Sequence, residues 1–569
     1  LNIINTTLPS EYNANYNKIQ LIESIKIKSN ILKKINKPNY ESFLLLSSLL
    51  KSLRLENSTA SHKDFWANEN LNIYQDAIAT FIDNDDIESA FTFAEENKSN
   101  LLVQSLNDIE AKSYANIPAE LLEKENDLRA KLQFYQKKKF ELENSDNIDS
   151  TKLIDYFELI TTTEFAIDEI VDTLESHYPE YYELKYNEED LKAADIKNIL
   201  DDKTAFIEYF VGKDSAYVFT ITKDNISVNS LDILSDSTNI FLKYYQSISD
   251  PNVSATFLDS HSKSTYKLVL EKALENINSN IQDLIIVPDD ILNNLPFELM
   301  KNEKDEYLGF KYNIHYQYSG RLWRLLKNRK SFDKKYDFLG YAYNSDNVNY
   351  IAERACATME TGNLLCSDKE IQNIATILKD KSLLLKNANK DDILKNASQS
   401  RIVHLATHSC LDSENSDYSR IFFNDGYITN IDLQLQTMNA DLAVLSACES
   451  GYGELIKGEG AMSISKGFFH AGCKSTLVSL WPVDDCSTSE FMGHFYTYLN
   501  EGLQKDVALK KAKQTYLETA HPSRTHPYYW AGFILIGDNA AVFGNGGGYL
   551  IWVMGFLGLL VFGWCIKKV

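Results

Sequence analysis

Apolar residues recur every three or four positions from about Glu11 to Leu184, with few prolines and many Lys and Glu, and this pattern predicts helix throughout the stretch. The pattern changes after His177-Tyr-Pro-Glu-Tyr-Tyr-Glu-Leu184. Ala205-Phe-Ile-Glu-Tyr-Phe210 and Ser215-Ala-Tyr-Val-Phe-Thr-Ile-Thr222 flank Gly212-Lys-Asp214 and predict a hairpin. Leu284-Ile-Ile-Val-Pro-Asp-Asp290 predicts a strand closed by a proline turn, with Leu295-Pro-Phe-Glu298 soon after. From Tyr336 strand and helix alternate. Strands are expected at Asp337–Tyr341, Arg401–Ala406, Asp441–Ala447, Lys474–Trp481 and Trp530–Ile536, and helices at Lys369–Leu378, Lys390–Ser398 and Ala461–His470, with two more before the last strand. Such alternation predicts an α/β unit with a mainly parallel sheet and helices on both faces.

Within the helical half, Asn72–Phe81 and Ile87–Leu106 predict two helices parted by Asp83-Asn-Asp-Asp86. Small Ala90 and Ala94 sit among Phe91 and Phe93, the composition of a helix-turn-helix repeat of the tetratricopeptide kind. Ile19–Ile35 and Tyr40–Leu55 would be earlier, degenerate copies. No strict period of about 34 residues survives, and an irregular helical bundle is the alternative. Glu120–Asn144 reads as a long, charged helix facing solvent or a partner, and helix resumes over Leu153–Leu174.

At 569 residues the chain exceeds what one core can organise, so several globular units are expected. A formal charge of −23 argues against tight nucleic-acid binding, which needs clustered Lys and Arg, and favours a basic peptide as partner. Seven cysteines show neither CxxC spacing nor the density of a disulfide scaffold, and Cys356, Cys366, Cys473 and Cys486 read as small buried hydrophobes. After the spacer Gly544-Asn-Gly-Gly-Gly548, Tyr549–Ile566 runs eighteen residues without a charge and is followed by Lys567 and Lys568. This predicts a single-pass transmembrane anchor with interfacial Tyr549, Trp552 and Trp564. The lysine pair favours a cytoplasmic tail with the bulk of the chain on the far side, and a tail-anchored cytosolic protein is the alternative. The expected organisation is therefore a helical tetratricopeptide-like region over 1–184, two α/β halves over 195–335 and 336–540, a spacer over 541–548 and a span over 549–566.

Two of the expected strands end in residues that carry chemistry. Arg401–Ala406 delivers His408 and Asp441–Ala447 delivers Cys448. Ligands of open α/β sheets sit beyond the C-terminal ends of parallel strands, so the two are placed for a cysteine protease dyad. Cys448 would be the nucleophile, His408 the general base and then acid, and the backbone N–H groups of Ser409 and Cys448 the oxyanion donors. His404, His408 and Cys410 also raise the question of zinc. On a strand, however, residues four apart are separated by about 13 Å, so His404 reads as a core residue or one that supports His408. Asp484 and Asp485, after the next strand, would form an acidic pocket for a Lys or Arg side chain, or simply a solvated helix start.

His404-Leu-Ala-Thr-His408, Leu445-Ser-Ala-Cys-Glu449, Gly458-Glu-Gly460 and Leu480-Trp-Pro-Val-Asp-Asp485, in this order, resemble the CHAT domain, a relative of caspases, separases and gingipains. The likeness extends over roughly Asp195 to Asp538, with Pro288-Asp-Asp290 and Leu295–Glu298 matching the family's non-catalytic first half. It implies a caspase-like α/β fold and an endopeptidase with a His408–Cys448 dyad and no metal cofactor. It further implies cleavage of a protein or peptide after a basic residue held by Asp485, and an activating partner sensed through the helical repeats. The family has glycine after the catalytic histidine where this chain has Ser409. The alternative is a catalytically idle, membrane-anchored interaction scaffold.

Overall fold

The structure, a computed structural model, describes residues 15–544 apart from 36–38, 57–59, 116, 144–148, 187–189, 234–236, 330, 344–363, 380–381, 387–388, 413–415, 447–453, 457–459 and 463. The helical half consists of α1 (Asn15–Lys34), α2 (Tyr40–Glu56), α3 (Ala60–Asp83), α4 (Ile87–Glu96), α5 (Asn100–Tyr114), α6 (Ala119–Glu143), α7 (Ser150–His177), α8 (Pro179–Lys185) and α9 (Ala193–Ile199). The turn between α3 and α4 forms as expected. The Asp86 side chain caps α4 by accepting from the Ser89 N–H, and Asp85 takes φ 61°, which a short polar side chain tolerates.

The stretch Ile87–Leu106, expected as one helix, is two. The chain breaks at Asn97–Ser99, with Ser99 at φ 50°, and turns the polar run Glu95–Asn100 inward. There Glu95 accepts from the backbone N–H groups of Gly320 and Arg321, Ser99 donates to the Tyr318 carbonyl, and the Arg321 guanidinium donates to the Glu95 and Lys98 carbonyls. A buried polar run is stable only when its groups find such partners. Those partners lie more than two hundred residues away, which is why local periodicity misses the break.

The strands are β1 (Thr204–Val211), β2 (Ala216–Ile221), β3 (Ile226–Leu231), β4 (Asp283–Val287), β5 (Asn313–Tyr316), β6 (Tyr336–Ala342), β7 (Ser382–Lys386), β8 (Ser400–Ala406), β9 (Ser409–Cys410), β10 (Arg420–Phe423), β11 (Gly426–Thr429), β12 (Leu442–Ser446), β13 (Glu454–Ile456), β14 (Gly460–Met462), β15 (Ser475–Ser479) and β16 (Phe533–Gly537). Between them run α10 (Ser237–Ser249), α11 (Ala255–Val269), α12 (Glu271–Leu274), α13 (Leu308–Lys311), α14 (Gly320–Asn328), α15 (Ser367–Leu378), α16 (Lys390–Ala397), α17 (Asn430–Gln434), α18 (Ile464–His470), α19 (Asp485–Asn500) and α20 (Lys505–Thr519). Among the described residues eleven strands form one sheet in the order β3-β2-β1-β4-β5-β16-β15-β12-β8-β6-β7. β1, β4, β5 and β16 run parallel to one another, as do β15, β12, β8, β6 and β7. The two blocks meet antiparallel at β15 and β16, so the last strand of the chain stitches an early block to a late one.

The β1–β2 hairpin is present as expected, and β3 extends it as an edge strand. Alternate residues of β1 serve two cores. Ala205, Ile207 and Tyr209 belong to the large core of the α/β domain, whereas Phe206 and Phe210 join the core built by α1–α4. Phe91 of α4 lies edge-on to Phe206 and Phe219 at 6.4 and 5.8 Å between ring centroids, a favoured aromatic geometry. The helices are thus a second layer on this end of the sheet.

The expected transmembrane helix and membrane location are corrected. No helix among the described residues is long and apolar enough to cross a membrane. α6 and α7 have the length, at 25 and 28 residues, but carry charged side chains along their whole run, each costly in hydrocarbon. The stretch Tyr549–Ile566, on which the expectation fell, lies outside the described residues.

Candidate functional site

The C-terminal ends of β8, β12 and β15 share one edge of the sheet. β8 and β12 are adjacent and parallel, with Ala406 opposite Ser446 in the register, and the Thr407 N–H donates to the Ser446 carbonyl at 3.3 Å. Apolar residues fill both strands because both are buried, which is the reading that continuous runs of Ile, Val, Leu and Ala support. His408 stands two residues past Ala406, and Cys448 the same distance in sequence past Ser446. Cys448 lies outside the described residues.

His408 is 8% exposed, with its ring edge-on to Tyr343 at 5.1 Å. Its carbonyl accepts from the Phe422 N–H at 3.0 Å, and the Thr407 hydroxyl donates to the Phe422 carbonyl at 2.5 Å. The histidine is therefore held from two sides, by Tyr343 beyond β6 and by β10. Ser409 begins the short strand β9 opposite Ile421 and is absent from the residues with positive φ. Its backbone is extended, so a side chain in place of glycine brings no conformational strain there.

His404 points into the core. It is fully buried between the Glu370 carboxylate, at 2.7 Å from Nε2, and the Tyr496 hydroxyl, at 3.0 Å from Nδ1. Both ring nitrogens are thereby occupied, which agrees with the core reading. Asp484 caps α19: its carboxylate accepts from the Ser487 N–H and hydroxyl at 2.9 and 2.6 Å. Asp485 is partly exposed, and its Oδ2 accepts from the Cys366 N–H at 2.7 Å. Burial, with the nearby Glu370 and Asp484 charges, raises its pKa above the ordinary aspartate value, partly offset by that hydrogen bond.

Cys366 and Cys486, expected as buried hydrophobes, form a disulfide that joins the start of α15 to the first turn of α19. They are 120 residues apart, and no spacing in the sequence announces the pairing. Cys410 is also disulfide-bonded, so its sulfur is not a zinc thiolate. Cys473 is free and buried, with its thiol pushed up to about 12 by burial, as befits a small core hydrophobe. Cys356 lies outside the described residues. Among the described residues the group whose donor atoms converge as metal ligands would is Cys366, Asp485 and Cys486, and its two sulfurs are bonded to each other.

A family model described as the CHAT domain matches residues 261–538. The match begins in α11, so it takes in β4 and every later strand of the sheet, whereas the β1–β3 hairpin lies ahead of it. The chain is 31% identical over 112 residues to tetratricopeptide repeat protein 28 of Mus musculus and 33% identical over 109 residues to that of Homo sapiens. These matches cover 20% and 19% of the chain but 4% of each relative, so the chain spans a small part of their length. Among solved structures it is similar to the Saccharomyces cerevisiae separase–securin complex, at 11% identity and a TM-score of 0.39, over 92% of this chain and 50% of that one. It is also similar to the Arg specific cysteine proteinase gingipain R, at 11% identity and a TM-score of 0.32, over 55% of this chain and 74% of that one. Ahead of the matched residues stands the helical pair expected from the sequence, α3 and α4, with Ala90 and Ala94 buried beside Phe91 and Phe93.

Proposed function

We propose that the CHAT domain is a cysteine endopeptidase that cuts protein substrates after a basic residue and is governed by a partner of the helical region. The observation that carries this is the register of β8 and β12. Two adjacent parallel strands end level with each other, and each continues by the same two residues to the one member of a thiol–imidazole pair. The Cys448 thiol would give its proton to His408, the thiolate would attack the scissile carbonyl, and His408 would return the proton to the departing amine. Water activated by the same imidazole would then release the acyl group. The N–H groups of Cys448 and Ser409 would hold the oxyanion.

Of the two acids, Asp485 is the better candidate to receive a Lys or Arg side chain. Asp484 is committed to capping α19, whereas Asp485 uses one oxygen for the Cys366 N–H. The experiment is alkylation of Cys448 by a Lys- or Arg-chloromethyl ketone, with labelling expected to disappear in His408→Ala. Cleavage sites mapped by N-terminal proteomics should be absent from Cys448→Ala, and Asp485→Ala should cut after basic residues at least about tenfold more slowly. Wild type and Cys448→Ala yielding the same products would end this reading.

A further inference from the structure

α6 and α7 form an antiparallel pair whose base is packed in a small core, whereas towards the far end the outer face of α7 is uncovered. Near the base Ile170 and Leu174 of α7 join a small core with Ala111, Ala115, Ile117 and Tyr181. Over residues 150–162 of α7 no described residue is buried. Ile154, Phe157 and Phe165 are 61%, 61% and 67% exposed and recur at spacings of three and eight, which places them along one stripe of the helix. Burying such side chains is favourable, so an exposed apolar row is an interaction surface in waiting.

The charge on α7 says what would cover it. The helix has seven acidic residues, Asp155, Glu158, Glu164, Asp168, Glu169, Asp172 and Glu175, against one lysine. Glu175 is paired with Lys185, and Lys152 is spent on the cap Asp149. Glu164, Asp168 and Asp172 follow one another at i, i+4, a spacing at which like charges destabilise a helix. α6 differs, since its Lys137, Lys138 and Lys139 are matched by Asp432, Glu141 and Glu143. An apolar stripe edged by acids is complementary to a helix with an apolar stripe edged by Lys and Arg. From Ile154 to Phe165 the stripe is about 16 Å long, or three turns of such a partner.

The other side of the pair leans on the candidate site. Phe140 of α6 stacks on Tyr418 at 3.8 Å between centroids, the Tyr418 hydroxyl donates to the Gln136 carbonyl, and Lys137 pairs with Asp432 at 3.4 Å. Tyr418 is followed within two residues by β10, which pairs with β9 and binds the His408 carbonyl. We propose that the outer face of α7 docks a basic amphipathic helix of a partner protein, and that the docked helix bears on the His408 segment through α6 and Tyr418. This deepens the reading of a partner-governed protease, but the docking itself does not depend on catalysis.

The test uses the whole chain and a synthetic peptide with leucines along one helical face and Lys and Arg beside them, titrated by fluorescence anisotropy. Binding is expected, and Phe157→Ser with Phe165→Ser should weaken it at least about tenfold, as should Asp155→Lys with Glu158→Lys, each pair leaving the circular dichroism unchanged. Equal binding of a scrambled peptide of the same charge, equal binding of a peptide with the charges reversed, or no effect of the substitutions would overturn the proposal. So would concentration-dependent dimerisation abolished by the same substitutions, which would assign the face to a second copy of the chain. Hydrogen exchange reads the coupling without any activity assay: the bound peptide should change protection of β9 and β10, and binding that leaves these strands unchanged would overturn that part.

Discussion

Two helical stretches of similar sequence character have opposite relations to the rest of the molecule. α1 to α4 drive their apolar residues into the sheet, and the polar run at the end of α4 turns inward to meet α14, so that these helices and β1, β2 and β4 share one interior. α6 and α7 keep most of their length outside any core. In α6 the one buried residue is Glu125, held by Lys112 and Arg129. The difference shows that a Lys- and Glu-rich helical composition does not distinguish a layer of a domain from an arm that projects from it. What distinguishes them is whether the apolar stripe has a matching surface within the chain.

The strongest way to break the comparison is Phe91→Ala. The ring is fully buried against Phe206 and Phe219, so its removal leaves a cavity between helices and sheet and should cost about 3–5 kcal/mol. If the two layers share a core, urea unfolding followed by circular dichroism and by tryptophan fluorescence should shift together. A helical transition that moves alone, with the sheet's midpoint unchanged, would show that the layers are separate units.

The same junction should have a pH signature. Glu208 of β1 is fully buried, and burial, followed by the neighbouring Glu95 charge, raises its pKa well above the ordinary glutamate value, with Lys98 offsetting only part. A carboxyl whose pKa is raised on folding keeps its proton in the folded state where the unfolded chain has lost it. Its contribution is therefore full below pH 4.5, the unfolded value, and is lost as pH rises from there towards the raised value. The slope approaches about 1.4 kcal/mol per pH unit for one proton. Glu208→Gln should flatten that slope, with the variant gaining on the parent at pH 8 relative to pH 4 in urea midpoints; parallel curves would exclude Glu208 as the source.

Much of this architecture was legible in the sequence. The strands β1, β2, β4, β6, β8, β12 and β15 are apolar runs closed by turn residues, and helices α1, α2, α15 and α16 begin and end close to where periodicity put them. His404 was separable from His408 because residues four apart along a strand stand about 13 Å apart, and β8 ends at Ala406, before His408. What escaped was whatever is satisfied at long range. The inward turn at Ser99 depends on Tyr318 and α14, the Cys366–Cys486 bond depends on two helix starts meeting, and β16 reaches its place antiparallel to β15 only once β5 is there to pair on its other side. β3 and β7 were missed for a different reason. Each lies at an edge of the sheet, where one missing neighbour leaves a shorter or more polar run.

The contact between α6 and the β10 side of the α/β domain is intermediate in strength. Phe140→Ala removes one stacked ring from Tyr418 and should cost about 1 kcal/mol at most. Because the arm is held at its base by its own small core, the loss should be local. Hydrogen exchange should rise in the C-terminal half of α6 and in residues 416–423, while α3 and α4 stay as protected as before. A rise that includes α3 and α4 would mean that the arm and the packed helices open together, against the comparison.

The smallest expected effect belongs to Phe157→Ala. A phenylalanine with 61% of its surface in water has little burial to lose, and alanine is the better helix former, so the two contributions oppose each other. The net change in the free energy of unfolding should fall within about 0.5 kcal/mol of zero. The contrast with Phe91→Ala is sharp because the residue type and the substitution are the same and only the surroundings differ. A cost above about 2 kcal/mol would mean that Phe157 is covered in solution, by a second copy or by another part of the chain. Repeating the measurement at a tenfold lower protein concentration separates these two, since only a cost that includes dissociation of a second copy would change.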